Sequence, residues 1–309
     1  MSSLVIGLGS IGSRHARVLT DLGEDVAVVS SQNDVSFRCY SSISQAIKQE
    51  DPQYVVVANV SSAHYETLCQ LHEAGFSGKV LVEKPLFIND DHDLLSQFKF
   101  SEVSVGFDLR FHPALLALNE MLQNQKSLSA QVYVGQYLPT WRPQTDYRQS
   151  YSANSDLGGG VLWDLSHEFD YVNWIFGSWK RLTAMGGHLS ALEIDTPDSY
   201  SVLLETERCP MVTVNVNYLD RIFHRNLIVN TETCTMAVDF MQSTLTFNYG
   251  ESVEVKKYEL DIDFVYREQH RSILNSIKNS RCLLNDGLES VNTILAIEKA
   301  AANQTWVTR

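Results

Sequence analysis

The stretch Ser3-Leu4-Val5-Ile6-Gly7-Leu8-Gly9-Ser10-Ile11-Gly12 joins an apolar strand to the glycine pattern G-x-G-x-x-G, which then opens a helix. In such a turn Gly7 permits the tight bend, Gly9 lets a pyrophosphate approach the backbone, and Gly12 lets the helix pack on the strand. The free amides and the dipole of the helix then face the phosphates. The predicted cofactor contacts are Gly7, Gly9, Ser10, Ile11 and Gly12. The alternative is a glycine-rich turn that binds no ligand, but the strand–helix setting favours a dinucleotide site.

Short apolar runs alternate with helical patterns through the first third of the chain. The predicted strands cover residues 3–6, 26–29, 54–58, 79–82 and 103–106. The helices predicted between them include residues 12–22, 42–49 and 63–74. Continuous strands rich in Val, Ile and Leu, separated by helices, indicate a parallel sheet that is covered on both faces.

The pattern changes near residues 111–113, where a helix over 113–123 leads into polar, aromatic-rich sequence. Strands then follow at 181–187, 200–206, 211–217, 226–230, 234–239, 244–247 and 252–257, and helices near 266–278 and 287–302 close the chain. The connections are too short for helical crossovers, so most neighbouring strands should be antiparallel. The predicted fold class is α/β. A Rossmann dinucleotide-binding domain (1–112) precedes an α+β domain (113–309) with a large open, mostly antiparallel sheet.

The composition is that of an ordinary globular protein, with 309 residues of which 44% are hydrophobic and 20% charged. A net charge of −13 argues against nucleic acid as a partner, because phosphates need a basic face. Five scattered cysteines without a C-x-x-C pair favour free thiols in a reducing compartment over a disulfide framework or a zinc site. The chain begins with a strand, and no stretch approaches a membrane span. We therefore expect a cytoplasmic protein that binds neither metal nor membrane.

The end of the second strand bears on the choice of cofactor. An NAD-binding site usually has a carboxylate there for the ribose hydroxyls, whereas this strand runs into Ser30-Ser31-Gln32. Hydroxyls and an amide can bind a 2′-phosphate, and Arg38 or Arg14 could supply the matching charge. The sequence therefore favours NADP, while Asp34 keeps NAD open if the loop folds back.

The tripeptide Glu83-Lys84-Pro85 directly follows the apolar strand at 79–82. Ligands of open parallel sheets bind outside the carboxyl ends of the strands, so Lys84 lies where chemistry is expected. A lysine among apolar neighbours and beside a carboxylate is also one whose proton affinity can be tuned. The alternative is a surface ion pair with Glu83.

The other informative segment is residues 158–170, in which three glycines precede an apolar-periodic helix. Such glycines let the backbone approach something flat or bulky. Asp164 and His167 are three apart, which predicts that they share one helical face. Histidine suits acid–base work near neutral pH, and a carboxylate beside it can fix its tautomer. The alternative is a capping aspartate and a core histidine.

Together these segments resemble the Gfo/Idh/MocA family of nicotinamide-dependent sugar oxidoreductases, over nearly the whole chain. The resemblance rests on residues 7–12, 61–66, 83–85, 105–113 and 158–177. It implies a Rossmann domain, a second domain whose open sheet mediates homo-oligomers, and a catalytic set of Lys84, Asp164 and His167. It also implies cofactor contacts at Asn59, His64, Glu83 and Lys84, with His64 near the nicotinamide ribose.

Residues 135–153 are similar to a subgroup associated with bacterial surface-sugar gene clusters, including those for nonulosonic acids such as legionaminic acid. The chain departs from the family pattern at one point, because Asp and His are usually four residues apart. Counting back from residues 174–177 places His167 at the family position, whereas counting forward from the glycines places Glu168 there. We take His167, because Glu168 would change the acid–base chemistry.

The function expected from the resemblance is hydride transfer between nicotinamide and a carbinol carbon of a sugar, sugar derivative or cyclitol. His167 would transfer the proton, Lys84 would stabilise the charge on the reacting oxygen, and Asp164 would orient one or both. The substrate contacts expected before the glycines are Arg142, Arg148, Tyr151 and Trp141, since arginine clamps anions and aromatic rings offer a face to sugars. A solvated loop is the alternative for these four residues.

Two other functions remain open at this point. A redox-neutral enzyme that retains its cofactor would cleave glycosides through transient oxidation. A non-catalytic sensor would bind the dinucleotide or a sugar to control a partner protein.

Overall fold

The computed structural model describes residues 2–32, 36–90 and 95–309. The strands in chain order are β1 (Ser2–Ile6), β2 (Asp25–Val29), β3 (Arg38–Tyr40), β4 (Tyr54–Val57), β5 (Lys79–Val82), β6 (Glu102–Val105), β7 (Ser127–Gly135), β8 (Trp179–Gly187), β9 (Ser199–Thr206), β10 (Val212–Asn217), β11 (His224–Thr231), β12 (Thr235–Asp239), β13 (Thr244–Asn248), β14 (Val253–Lys257), β15 (Cys282–Leu283) and β16 (Val307–Thr308). The α-helices are α1 (Ser10–Asp21), α2 (Ile43–Glu50), α3 (His64–Glu73), α4 (Pro113–Leu122), α5 (Leu138–Trp141), α6 (Val161–Asp164), α7 (His167–Phe176), α8 (Phe264–Leu274) and α9 (Leu284–Asn303).

The chain divides into two units, and the division differs from the sequence prediction. The first unit comprises Met1–Phe111 and Asp261–Leu288, and the second comprises His112–Leu260 and Glu289–Arg309. The boundary predicted after residue 112 is thus off by one residue, but the assignment of all of 113–309 to the second domain is wrong. A later segment returns to the first unit.

The first unit is a Rossmann-type sheet of seven strands in the order β15-β6-β5-β4-β1-β2-β3. The strands from β6 to β3 are parallel, and only the short β15 runs antiparallel to its neighbour. All four residues of β4 are buried, which explains the unbroken Val-rich run in the sequence. The predicted parallel sheet is confirmed, and the short strands β3 and β15 were not predicted.

The returning segment is tied to the first unit by side chains as well as by β15. Asp263, just before α8, pairs with Arg17 of α1 at 2.5 Å. The Lys79 ammonium of β5 donates to the carbonyl oxygen of Ile273 at 2.6 Å. Local periodicity predicts that α8 is a helix, but only these long-range contacts decide which unit it joins.

The second unit is built on nine strands in the order β14-β13-β12-β11-β7-β10-β9-β8-β16. Every neighbouring pair is antiparallel except β7 and β10, which run parallel. The mostly antiparallel sheet is therefore confirmed. The central strand β7 was missed, although its Val132 and Val134 are fully buried, because polar residues interrupt its alternation.

His112 begins the second unit and caps α4. Its Nδ1 accepts a hydrogen bond from the Ala114 N–H at 3.3 Å, and the residue is 4% exposed. Burial lowers the pKa of His112 to about 4 from 6.5, because a charged ring would be desolvated. The folded protein therefore holds this ring neutral at pH 7.

We expect His112 to make the protein less stable in acid. The unfolded chain takes up the proton near pH 6.5 and the folded protein only near pH 4, so about 3 kcal/mol of unfolding free energy should be lost as the pH falls through this window. Urea unfolding between pH 7 and pH 4 measures the loss. His112→Asn keeps a capping oxygen but cannot titrate, so its profile should be flatter by that amount. Parallel profiles for the two proteins would contradict this role.

Candidate functional site

The three glycines of the loop between β1 and α1 have different environments. Gly7 has a φ of +89°, and a Cβ there would lie 2.7 Å from the carbonyl oxygen of Ala58. A Cβ on Gly12 would lie 1.9 Å from the carbonyl oxygen of Gly7, so no side chain fits between helix and strand. A Cβ on Gly9 would meet nothing within 4 Å. Gly7 and Gly12 therefore serve the fold, whereas Gly9 leaves open space beside the backbone.

The start of α1 and Asn59 provide groups that fit a dinucleotide. Gly9 caps α1 without any side-chain hydrogen bond, and the first turn contains no acidic residue, so the start of this helix suits an anion such as a phosphate. The Asn59 side chain donates to Thr67 Oγ1 at 2.8 Å. Its buried Oδ1 accepts no hydrogen bond from any of the described residues. An acceptor left in this state suits a ligand that donates to it.

The residues predicted to contact the ribose end are arranged differently from our expectation. Ser30 Oγ accepts from the Gln32 N–H at 3.0 Å, and the Gln32 amide donates to the carbonyl oxygen of Leu8 in the glycine loop at 2.9 Å. Ser31 is exposed. This turn therefore lies against the loop and presents neutral hydroxyls, while Asp34 is outside the described residues.

The two arginines that we expected beside Ser30 are engaged elsewhere. The Arg38 guanidinium binds Asp25, at the opposite end of β2, at 2.8 Å, and Glu50 at 3.0 Å. Arg14 lies 3.5 Å from the carboxylate of Asp263, which Arg17 binds more closely, at 2.5 Å. Arg38 is therefore already paired with two carboxylates, and a match between either arginine and a 2′-phosphate stays a prediction.

Lys84 stands out in the segment after β5, where the Lys84–Pro85 peptide is cis. Every residue in 80–87 is buried except Lys84, which is partly exposed. The Glu83 carboxyl group turns inward, with Oε1 2.9 Å from His15 Nε2 and Oε2 accepting from the Lys84 N–H at 3.2 Å. Glu83 therefore supports the backbone of Lys84, and its contact with the cofactor stays a prediction.

His64 also lies beneath this turn. It is 1% exposed, and its Nδ1 lies 2.9 Å from the carbonyl oxygen of Pro85. Its Nε2 lies 3.3 Å from the carbonyl oxygen of Asn59. Burial lowers the pKa of His64, so the ring is neutral. This side chain therefore lies between the segments that follow β4 and β5, and its contact with a ribose stays a prediction.

In the second unit, the three glycines before α6 pack against the chain itself. A Cβ on Gly159 would lie 2.1 Å from the carbonyl oxygen of Tyr151, and Gly160 has a φ of +113°. The close approach that we expected to serve a ligand is therefore made by the turn at Tyr151–Ala153.

Asp164 and His167 do not share a continuous helix, contrary to our prediction. Asp164 is the last residue of α6 and His167 the first of α7, with a turn at residues 165–166 between them. The spacing of three therefore does not set their geometry. His167 is partly exposed, whereas all other residues in 158–172 are buried.

Glu168 is excluded from the role of His167 by its surroundings. It is fully buried, and its carboxylate lies 3.0 Å from the Arg225 guanidinium of β11. The Tyr171 hydroxyl also donates to it, at 3.4 Å. The side chain thus points into the second unit, and His167 is the group that a substrate could reach.

Asp164 is held by tyrosines. The Tyr218 hydroxyl, just beyond β10, donates to Asp164 Oδ2 at 2.5 Å, and both residues are buried. Burial raises the pKa of Tyr218 well above its usual range, and the negative charge of Asp164 raises it further. The same two causes, in the same order, raise the pKa of Tyr151. Both phenols are therefore neutral next to the carboxylate.

Three of the four predicted substrate contacts lie near this acid. The Trp141 ring meets Tyr218 edge-on at 5.2 Å, and the exposed Arg142 guanidinium lies 5.7 Å from the ring of Tyr151. Trp141 and Arg142 line one cavity together with Tyr147 and Ser152. Among the salt bridges of the described residues, none involves Arg142. Its charge is therefore available to an anionic ligand.

Arg148 and Tyr218 depart from the sequence prediction in opposite directions. The Arg148 guanidinium binds Asp146 at 2.8 Å and Glu193 at 3.1 Å, so the expected substrate clamp is already occupied. Tyr218 was missed by the sequence prediction. Its position one residue after a buried strand is a usable signal, since strand ends often carry functional groups.

Within residues 2–32, 36–90 and 95–309, no group of three or more His, Cys, Asp and Glu side chains could hold a metal ion. No helix in the described part of the chain has the length and apolarity needed to cross a bilayer.

Two family models match the chain. Residues 1–96 match the oxidoreductase family model described as an NAD-binding Rossmann fold, and residues 126–235 match the GFO/IDH/MocA C-terminal domain. The Rossmann-type sheet and the larger second sheet agree with these two descriptions.

Similar proteins are oxidoreductases. An uncharacterized oxidoreductase of Synechocystis sp. is 28% identical over 55% of this chain and 46% of its own length. Inositol 2-dehydrogenase 2 of Paenarthrobacter aurescens is 27% identical over 56% of this chain and 55% of its own length. The chain thus spans about half the length of these relatives. The structure of the WlbA dehydrogenase from Bordetella pertussis, in complex with NADH and UDP-GlcNAcA, has a TM-score of 0.82 with 18% identity, and covers 100% of this chain and 97% of that one.

The loop glycines offer a test of the cofactor site. Gly9→Ala should change the unfolding free energy by less than about 0.5 kcal/mol, because the methyl group enters open space. It should weaken NADH binding about tenfold or more, because that space is where a pyrophosphate approaches. Gly12→Ala should instead cost about 1–3 kcal/mol of stability through its clash with Gly7. Fluorescence titration measures the NADH affinity, and urea unfolding measures the free energy of unfolding. Unchanged NADH and NADPH affinity in Gly9→Ala would place the dinucleotide elsewhere.

Proposed function

We propose that this chain, which belongs to the GFO/IDH/MocA oxidoreductase family, is a dehydrogenase or reductase that acts on a carbinol carbon of a sugar, sugar derivative or cyclitol. One observation carries the proposal. Lys84 and His167 are each the sole partly exposed residue in an otherwise buried segment, 80–87 and 158–172. A charged side chain and a titratable ring presented from packed backbone suit groups that must be held in place for chemistry.

The two residues have complementary proposed roles. His167 exchanges the hydroxyl proton of the substrate, since histidine is the side chain most often used for proton transfer near neutral pH. Lys84 donates a hydrogen bond to the same oxygen and stabilises its negative charge. Asp164, which accepts a hydrogen bond from Tyr218, orients and stabilises the catalytic groups. A bound nicotinamide supplies the hydride acceptor or donor.

The proposed substrate class is a hydroxylated and anionic carbohydrate. Trp141 and Tyr151 provide aromatic faces, and Arg142 provides a cation without a carboxylate partner among the described residues. The inositol dehydrogenase relative and the UDP-GlcNAcA complex of WlbA support a cyclitol or a sugar nucleotide. A role in bacterial surface-sugar chemistry is part of this proposal.

The cofactor preference is proposed to be weak. The neutral groups of Ser30 and Gln32 would not repel a 2′-phosphate, but Arg38 is paired with Asp25 and Glu50 away from this turn, and Arg14 lies beside Asp263. We therefore expect NADP(H) to be accepted together with NAD(H). Self-association through the second sheet and a cytoplasmic location remain predictions.

Ser30→Asp tests the ribose end. A carboxylate beside a 2′-phosphate should weaken NADPH binding about tenfold or more through like-charge repulsion. NADH affinity should stay within about threefold, because the carboxylate can pair with the ribose hydroxyls. Ser30→Asn is the neutral control and should leave both affinities unchanged. Equal losses for the two cofactors in Ser30→Asp would show that this turn does not face the ribose.

Lys84 and His167 are tested by turnover. Screening nucleotide sugars, free aldoses, inositols and nonulosonic acids with both cofactors should identify a substrate whose oxidation changes nicotinamide absorbance. On it, Lys84→Ala should lower kcat about 10²–10³-fold and His167→Asn about 10²–10⁴-fold, the usual range for losing an oxyanion donor or a general base. Lys48→Ala, on the exposed side of α2, is the control.

Other outcomes point to other functions. Product formation without net change in absorbance would favour the redox-neutral enzyme. Ligand binding without turnover, with biological activity untouched in Lys84→Ala, would favour the sensor.

A further inference from the structure

Four buried side chains of the first unit form one continuous line of hydrogen bonds. Glu83 Oε1 lies 2.9 Å from His15 Nε2, and His15 Nδ1 lies 2.8 Å from His270 Nε2. His270 Nδ1 lies 2.9 Å from the Tyr54 hydroxyl. Their exposures are 8%, 0%, 0% and 1% in that order. The line joins the end of β5 to α1, α8 and the start of β4.

Each contact along the line joins a possible donor to a possible acceptor. A carboxylate accepts, so His15 donates to Glu83 through Nε2. Burial lowers the pKa of His270 well below its usual range and raises that of Tyr54 well above, which keeps both groups neutral. A neutral His270 donates through one ring nitrogen and accepts through the other, so it can bond to His15 and to Tyr54 at once.

The line has no outlet for a proton. Its far end, Tyr54, is buried and begins the central strand β4, and both histidines are fully buried. Proton conduction to solvent is therefore unsupported, and the bonds act by orientation. A Cβ on Gly106 would lie 2.5 Å from Glu83 Oε1, so the carboxylate is also confined by backbone on this side.

The near end of the line meets the backbone of Lys84. Glu83 Oε2 accepts from the Lys84 N–H at 3.2 Å, while Oε1 is taken by His15. Both carboxylate oxygens therefore have donors, one from the buried line and one from Lys84. Because His15 lies on α1, the same line connects the Lys84 backbone with the helix that follows the glycine loop.

We propose that Glu83, His15, His270 and Tyr54 form a relay of positioning residues that holds the Lys84 backbone, and hence its ammonium group, in register with the phosphate-binding helix. That this position of Lys84 matters for catalysis rests on the proposed function. The restraint on its backbone does not. Because Glu83 is held by both His15 and the Lys84 N–H, the turn at Lys84–Pro85 is restrained from rotating. Losing the hydroxyl of Tyr54 should therefore alter the environment of Lys84, although two histidines separate Tyr54 from Glu83.

The test follows the reactivity of Lys84 in the full-length protein, which requires no substrate. Trace labelling with acetic anhydride across pH 6–11, read by mass spectrometry, gives the labelling rate and pH profile of Lys84 relative to the exposed Lys48. Glu83→Gln offers one carbonyl oxygen for two donors, and Tyr54→Phe removes one hydroxyl without changing shape. Tyr171→Phe is the matched control, since Tyr171 is buried and donates to Glu168 of the second unit. Thermal unfolding and NADH titration are measured in parallel.

We expect both relay variants to change the Lys84 labelling rate at least about threefold, the scale of coupling within one hydrogen-bond network, and the control to leave it unchanged. A change in Glu83→Gln but not in Tyr54→Phe would overturn the relay beyond Glu83. Lower melting temperatures with an unaltered Lys84 profile would show that the network only stabilises the fold. Altered labelling in an enzyme that proves indifferent to Lys84→Ala would leave the relay standing and refute the catalytic role of Lys84 instead.

Discussion

The approach of α1 to β1 is so close that a methyl group on Gly12 would lie 1.9 Å from the carbonyl oxygen of Gly7. This contact sets the height and rotation of the helix, because only glycine fits at such a crossing. The helix start is thereby directed outward, where its amides can meet phosphate. His15, three residues after Gly12 and on the same face, is directed inward to Glu83. One packing contact therefore sets both the cofactor loop and the support of Lys84.

Much of the fold could be predicted because the central parallel strands β4 and β5 of the first unit are buried on both faces and read as nearly unbroken apolar runs. The failures have a common cause. Strand β7 lies at the centre of the second sheet, yet its polar positions alternate irregularly, and neighbours distant in sequence decide its pairing. The helix α8 was predicted as a helix, but its unit is determined by contacts such as Asp263 with Arg17. Local pattern contains neither kind of information.

Residue type and position along the chain were enough to single out the glycine loop before α1, Lys84 and His167, and the structure shows both side chains partly exposed in otherwise buried segments. The partners of charged side chains were not predictable. Arg38 follows a loop that suggests a phosphate, but in the structure its guanidinium pairs with Asp25 and Glu50. The helical spacing of Asp164 and His167 failed because the backbone turns at residues 165–166, which no glycine or proline marks.

Three buried carboxylates show how the partner of an acid can indicate its role. Glu168 is paired with the Arg225 guanidinium, so its charge is cancelled where it lies and it serves the fold. Glu83 lies within hydrogen-bond distance of the His15 imidazole, and Asp164 accepts a hydrogen bond from the Tyr218 phenol. A hydrogen bond from a phenol holds a carboxylate in place without adding a positive charge beside it. The Tyr218 hydroxyl therefore fixes Asp164 at the end of α6, three residues before His167, which suits the orienting role proposed for Asp164.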